Sequence, residues 1–125
     1  MIDHVSLGVA DITAARGFYD KVLGTLGLKR LYSMEFAAAY GDKLPGFWIG
    51  LPVDRKPAGA GNGCHVCFQA PNRGAVDAFH AAAMEAGGGD GGAPGLRPEY
   101  TETYYGAFAF DPDGNKIEAV CHAPE

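Results

Sequence analysis

Three residues far apart in the chain could do chemistry together: His4, His65 and Glu118. Each stands in a stretch compatible with a β-strand, so alternation assigns each to a definite face. Two imidazoles and a carboxylate converging in a cleft would hold one divalent cation and leave positions open for a substrate. Glu118 lies in the otherwise apolar run Ile117–Cys121, and an unpaired carboxylate among apolar neighbours is costly, so it needs a partner. A second cluster, Cys64-His65-Val66-Cys67, has metal-binding residue types, but a strand points Cys64 and Cys67 to opposite faces and spoils a shared ion. The third cysteine, Cys121, leaves an odd number, and reduced thiols are expected.

The elements that must position these residues repeat. Ile2 to Val9 alternates as a half-buried strand, with His4, Ser6 and Gly8 on one face. Asp11 is a helix N-cap, followed by the apolar stripe Ile12, Ala15, Phe18, Tyr19, Val22, Leu23 and Leu26, with Gly27 as the stop. Leu31–Tyr40 is strand-compatible, and Phe47–Leu51 is a short strand after a turn. Asp54 to Gly63 reads as a linker. The pattern then restarts: strand Cys64–Gln69, N-cap Asn72, and a helical stripe of Val76, Phe79, Ala83 and Met84. Gly87–Gly95, with six glycines and a proline, is expected to be a loop, and Leu96–Tyr100 a strand. Tyr104–Phe110, the turn Asp111-Pro112-Asp113-Gly114-Asn115 and the strand through Glu118 form a closing hairpin.

A shift of 61 residues places His65 on His4, Val66 on Val5, Ala75 on Ala14, Phe79 on Phe18 and Gly88 on Gly27. Allowing for turns of unequal length, Glu118 falls on Gly50. The expected architecture is therefore α+β: two βαβββ modules in tandem, forming an incomplete barrel with an internal cleft. Module one spans 1–54, the linker 55–63 and module two 64–125. With Val5/Leu7, Val66/Phe68 and Ile117/Ala119 turned towards helices, His4, His65 and Glu118 all face the cleft.

Composition narrows the function classes. A formal charge of −5 excludes the basic footprint of a nucleic-acid binder or an anionic-membrane binder. No apolar run approaches the roughly 18 residues of a membrane span, and the N-terminus lacks the basic region of a signal peptide, so the cytoplasm is the expected location.

The spacing Asp11, Ala15, Phe18, Tyr19, Val22, Leu23, Gly24, together with Asp111-Pro-Asp-Gly-Asn-x-Ile-Glu118, resembles the vicinal oxygen chelate superfamily. That group contains glyoxalase I, extradiol dioxygenases, fosfomycin-resistance transferases, methylmalonyl-CoA epimerase and bleomycin-resistance proteins. The resemblance implies one divalent metal ion (Mn, Fe, Ni or Zn) on His4, His65 and Glu118, a small-molecule substrate and a homodimer. It places Gly50 where glyoxalase I has a fourth ligand, Gly8 where that enzyme has an arginine, and Phe108 where dioxygenases and the transferases have a tyrosine. Ser6 stands at the transferases' threonine and Trp48 at the transferases' tryptophan. The expected function is a metal-dependent, glyoxalase-like lyase or isomerase. Epoxide opening by a thiol, extradiol oxygenation and a metal-free, bleomycin-resistance-like drug binder are the alternatives. Glu118 and Ser6 are the candidate catalytic residues, and Trp48, Cys67, Gln69, Phe108 and Tyr104 are candidates for lining the substrate site.

Overall fold

The computed structural model describes residues 1–124; Glu125, the last residue of module two, lies outside the described residues. Module one consists of β1 (Val5–Gly8), α1 (Ile12–Gly24), β2 (Lys29–Ser33), β3 (Ala37–Gly41) and β4 (Phe47–Gly50). Module two consists of β5 (His65–Gln69), α2 (Arg73–Glu85), β6 (Gly89–Leu96), β7 (Tyr105–Phe110) and β8 (Lys116–Cys121). Each forms its own four-stranded sheet, ordered β1-β4-β3-β2 and β5-β8-β7-β6, with a parallel pair at one edge and antiparallel pairs beyond it. The protein is thus an α+β pair of βαβββ modules, with no closed barrel among the described residues. Among the described residues, no helix is long and apolar enough to cross a membrane.

The repeat extends to the helix caps. Asp11 accepts the Ala14 amide at 3.1 Å, and Asn72, 61 residues on, accepts the Ala75 amide at 2.8 Å. Each cap satisfies an amide that the helix leaves open, which is worth about 1 kcal/mol. Both helices turn their stripes into one core. Phe18, Tyr19, Val22 and Leu23 join Val76, Phe79 and Ala83, together with Ile49, Phe68, Ile117 and Ala119 from the inner sheet faces. Phe47 meets Phe68 edge-on at 5.0 Å, joining the modules through apolar contact.

The polar tie between modules runs through the turn of the closing hairpin. Asp111 is 3% exposed and accepts Tyr19 Oη from module one at 2.6 Å. It also takes the Asn115 amide and the Asp113 amide, each at 2.9 Å. Asn115 Nδ2 donates to Gly8 O, and Asp113 accepts the Ala10 amide. Gly114 takes φ of +87°, as the turn requires.

Two expectations are corrected and one is met. Leu31–Tyr40 is not one strand but a hairpin, with β2 and β3 broken at Met34–Phe36. Gly27 does stop helix α1: at φ +81° it closes the end, its amide donating to Gly24 O and that of Leu28 to Leu23 O, each at 3.1 Å. Finally, Gly87–Gly95 is not a loop and Leu96–Tyr100 is not a strand: β6 occupies Gly89–Leu96, and the chain turns after it. The glycines of β6 answer to crowding. A Cβ on Gly91 would lie 3.1 Å from Phe108 Cβ, and one on Gly92 would lie 3.1 Å from an Arg97 guanidinium nitrogen. Other residues' side chains occupy the space that β6 leaves.

Candidate functional site

The outer face of module two's sheet carries His65, Cys67 and Gln69 on β5, Lys116, Glu118 and Val120 on β8, and Phe108 on β7. Register sets the rows: Cys67, Glu118 and Phe108 lie side by side across three strands, and His65 neighbours Lys116. Glu118 is 2% exposed, while the His65 side chain is 42% exposed. His65 Nε2 lies 3.1 Å from Glu118 Oε1. The other carboxylate oxygen accepts the phenol of Tyr104 in a short hydrogen bond. Tyr104 reaches it by folding over Gly106, where a Cβ would sit 3.0 Å from the Tyr104 ring and 3.2 Å from Glu118 Oε2. Desolvation, then the bond to Glu118, holds the Tyr104 phenol above its ordinary pKa, so it stays protonated and donating. The same carboxylate adds to desolvation in pushing the Cys67 thiol up to about 12, which makes it a poor nucleophile at neutral pH.

The remaining candidates lie on module one's sheet. His4, just before β1, pairs with its neighbour Asp3 through Nδ1 at 2.6 Å and meets Trp48 edge-on at 6.4 Å. Trp48 stacks on Tyr32 with ring centroids 6.2 Å apart. Ser6 is exposed beside it, paired in register with Trp48. Among the described residues of one chain, no three His, Cys, Asp or Glu side chains gather as a metal site. His65 and Glu118 are together, and His4 is not with them.

Register also corrects the repeat. Ser6 pairs with Trp48, and Cys67, its counterpart 61 residues on, pairs with Glu118. The position equivalent to Glu118 is therefore Trp48, not Gly50. Turns of unequal length leave the offset open in the sequence, whereas the parallel ladders show how the strands align.

The donor chemistry of the second sheet fits a divalent ion. Ligands bound at about 2.0–2.2 Å and at right angles to each other lie about 3 Å apart, and His65 and Glu118 are spaced in that way. Tyr104 supplies the outer hydrogen bond that ligating carboxylates commonly have. Sequence reasoning gave no role to Lys116 or Arg97, both of which reach this face. Lys116 Nζ lies 4.7 Å from the Phe108 ring centroid and Arg97 Cζ 5.5 Å from it. Glycines at 92 and 106, opposite long side chains from one turn, were the available signal. A cavity of about 680 Å³ lies elsewhere, lined by Val9, Phe36, Leu51, Pro52, Val53 and the linker residues Arg55, Lys56, Pro57 and Ala58, and contains none of the three candidate ligands.

Residues 1–119 match the family model of the Glyoxalase/Bleomycin resistance protein/Dioxygenase superfamily, and the chain belongs to that superfamily. Among solved structures, a glyoxalase/bleomycin resistance protein from Albidiferax ferrireducens is similar at 38% identity and a TM-score of 0.87, over 95% of this chain and 96% of that one. A lactoylglutathione lyase from Agrobacterium tumefaciens shares the fold at 20% identity and a TM-score of 0.67, over 97% and 92% of the two chains. The fosfomycin resistance protein FosX from Listeria monocytogenes does so at 15% identity and a TM-score of 0.68, with coverage of 97% and 92%. Comparison with curated proteins finds no match.

Proposed function

We propose that the protein is a metal-dependent, glyoxalase-like enzyme of the lyase or isomerase type, with its metal centre shared between two copies of the chain. His65 and Glu118 of one copy would hold the ion, and His4 of the other would complete the set. The observation that carries this reading is the His65–Glu118 pair, 3.1 Å apart on a sheet face, with Tyr104 fixing the second carboxylate oxygen.

Sharing follows from what one chain leaves open. Both histidines belong to edge strands or their approaches, His4 before β1 and His65 on β5, and neither strand has a second neighbour in its sheet. Module one also exposes Tyr32, Met34, Phe36 and Leu51, at 53%, 41%, 58% and 39%. Exposed apolar residues of this size mark an interaction surface. A second copy laid across these faces would cover them and bring a sheet of each kind together.

A divalent ion held there would supply Lewis-acid polarisation of the substrate's oxygens. The chain's own residues do the rest. Tyr104 keeps Glu118 oriented, Trp48 and Phe108 offer apolar walls, and Ser6 offers a hydroxyl from the other sheet. Cys67, held as the thiol, and Gln69 continue the lining without nucleophilic chemistry.

Elemental analysis of protein purified without a nickel column tests the reading. The expected result is about one equivalent of Mn, Fe, Ni or Zn per chain, lost in His65→Ala. Neither His4→Ala nor Glu118→Ala alone should retain metal, but mixing the two variants should restore it, because a mixed dimer contains one intact site. Metal that survives His4→Ala would show that the set is wrong. One observation favours a metal-free binder: His65 and His4 each already have a carboxylate partner. Absence of metal, with thermal stability unmoved by any divalent ion, would decide for it.

A further inference from the structure

Lys116 stands beside a buried carboxylate and does not pair with it. Both oxygens of Glu118 are taken, by His65 and Tyr104. Lys116 instead extends over Phe108, with Nζ 4.7 Å from the ring centroid. Arg97 approaches the same ring, with Cζ at 5.5 Å. Among the described residues, neither cation has an Asp or Glu partner.

Arg97 is not a loose surface side chain. Its Nη1 donates to Gly95 O at 2.7 Å and to Gly106 O at 2.8 Å, and its Nη2 donates to Ala93 O at 2.9 Å. Carbonyls orient a guanidinium without neutralising it. The main chain holds its base as well, since the Arg97 amide donates to Tyr104 O at 2.7 Å. One turn therefore returns two side chains over the sheet: Tyr104 over Gly106 to Glu118, and Arg97 over Gly92 to Phe108. In a chain of net charge −5, two unneutralised cations share one aromatic ring next to the candidate metal ligands. Fixed, unneutralised positive charge beside an apolar ring on this sheet face favours an anion.

We infer that Lys116 and Arg97 form an anion subsite around Phe108, and that the substrate is a small 2-hydroxy or 2-oxo carboxylic acid. Its carboxylate meets these cations, and its neighbouring oxygen reaches the His65–Glu118 end. This names the substrate class for the site proposed above and rests on that reading for the second contact only. The carboxylate contact uses groups present in one chain.

Glycolate and its neutral analogue glycolamide are the probes. ¹⁵N-labelled protein is titrated with each, with and without Zn²⁺, following the amide signals of His65, Phe108 and Lys116. Wild type is expected to bind glycolate at least about tenfold more tightly than glycolamide. Lys116→Met and Arg97→Gln should each erode that preference, and Lys116→Arg should keep it. Zn²⁺ affinity in Lys116→Met should be no weaker than in wild type. Equal affinity for the two probes overturns the inference, as does a preference that survives Lys116→Met. So does the absence of saturable glycolate binding below roughly 10 mM. If Zn²⁺ itself does not bind, the metal reading fails, and the metal-free titration still decides the anion subsite.

Discussion

The two modules share a scaffold and differ on one row of side chains. Their helices are both 13 residues long, both start from a side-chain cap, and both pack into one core. Their sheets have the same strand order. Yet where module one has Ser6, Trp48 and Ala39 side by side, module two has Cys67, Glu118 and Phe108. The first row supports an aromatic stack; the second supports a buried carboxylate with a histidine and a tyrosine on it. The inner faces, bound to the helices, have little freedom to diverge, since core volume changes are felt at once. The outer faces are where duplicated halves acquire different jobs.

Three experiments would sharpen or break this contrast. The largest effect is expected where module two alone has a buried turn carboxylate. Asp111→Ala strands Tyr19 Oη and the amides of Asp113 and Asn115, and should cost about 3 kcal/mol by urea unfolding, as lost hydrogen bonds to a buried charged group do. A cost below about 1 kcal/mol would mean that the modules are held together by apolar packing alone. Next, Tyr104→Phe should weaken divalent-ion binding by about tenfold in calorimetry, as loss of an outer-shell partner does. Trp48→Phe, at the equivalent place on module one, should change it far less. Equal effects would erase the distinction between the rows.

The smallest effect concerns alkaline pH. Desolvation and the Asp111 carboxylate hold the Tyr19 phenol well above its ordinary 10.0. A raised folded-state pKa means the stabilisation is fully present below pH 10 and falls as pH rises beyond it. Thermal melts should therefore decline above pH 10 in wild type and decline less steeply in Tyr19→Phe. An identical decline in both would assign the loss to other groups.

Much of this arrangement was legible in the sequence. Asp11 and Asn72, the two helical stripes and the Asp-Pro-Asp-Gly-Asn turn are local signals, and local geometry honours them. Alternation also placed His65 and Glu118 on one face. Strand β6 was not legible because pattern reading needs side chains, and its glycines have none. The space above them belongs to Phe108 and Phe110 of the next strand, and to Arg97, whose fold back over Gly92 no local pattern announces. Tyr104 is a candidate for lining the site on sequence alone, but nothing local says that Gly106 opens a path to Glu118. The Trp48–Glu118 equivalence was hidden by turns of unequal length, which only strand pairing can align.

The Tyr19–Asp111 bond spans 92 residues of sequence. During synthesis, helix α1 leaves the ribosome long before its acceptor exists, so the phenol must stay hydrated, or hydrogen-bonded elsewhere, until the final turn emerges. Module one can collapse early, but it cannot lock. The turn of the closing hairpin is the latch of helix α1, so module one completes its buried hydrogen bonds only after module two has followed it out.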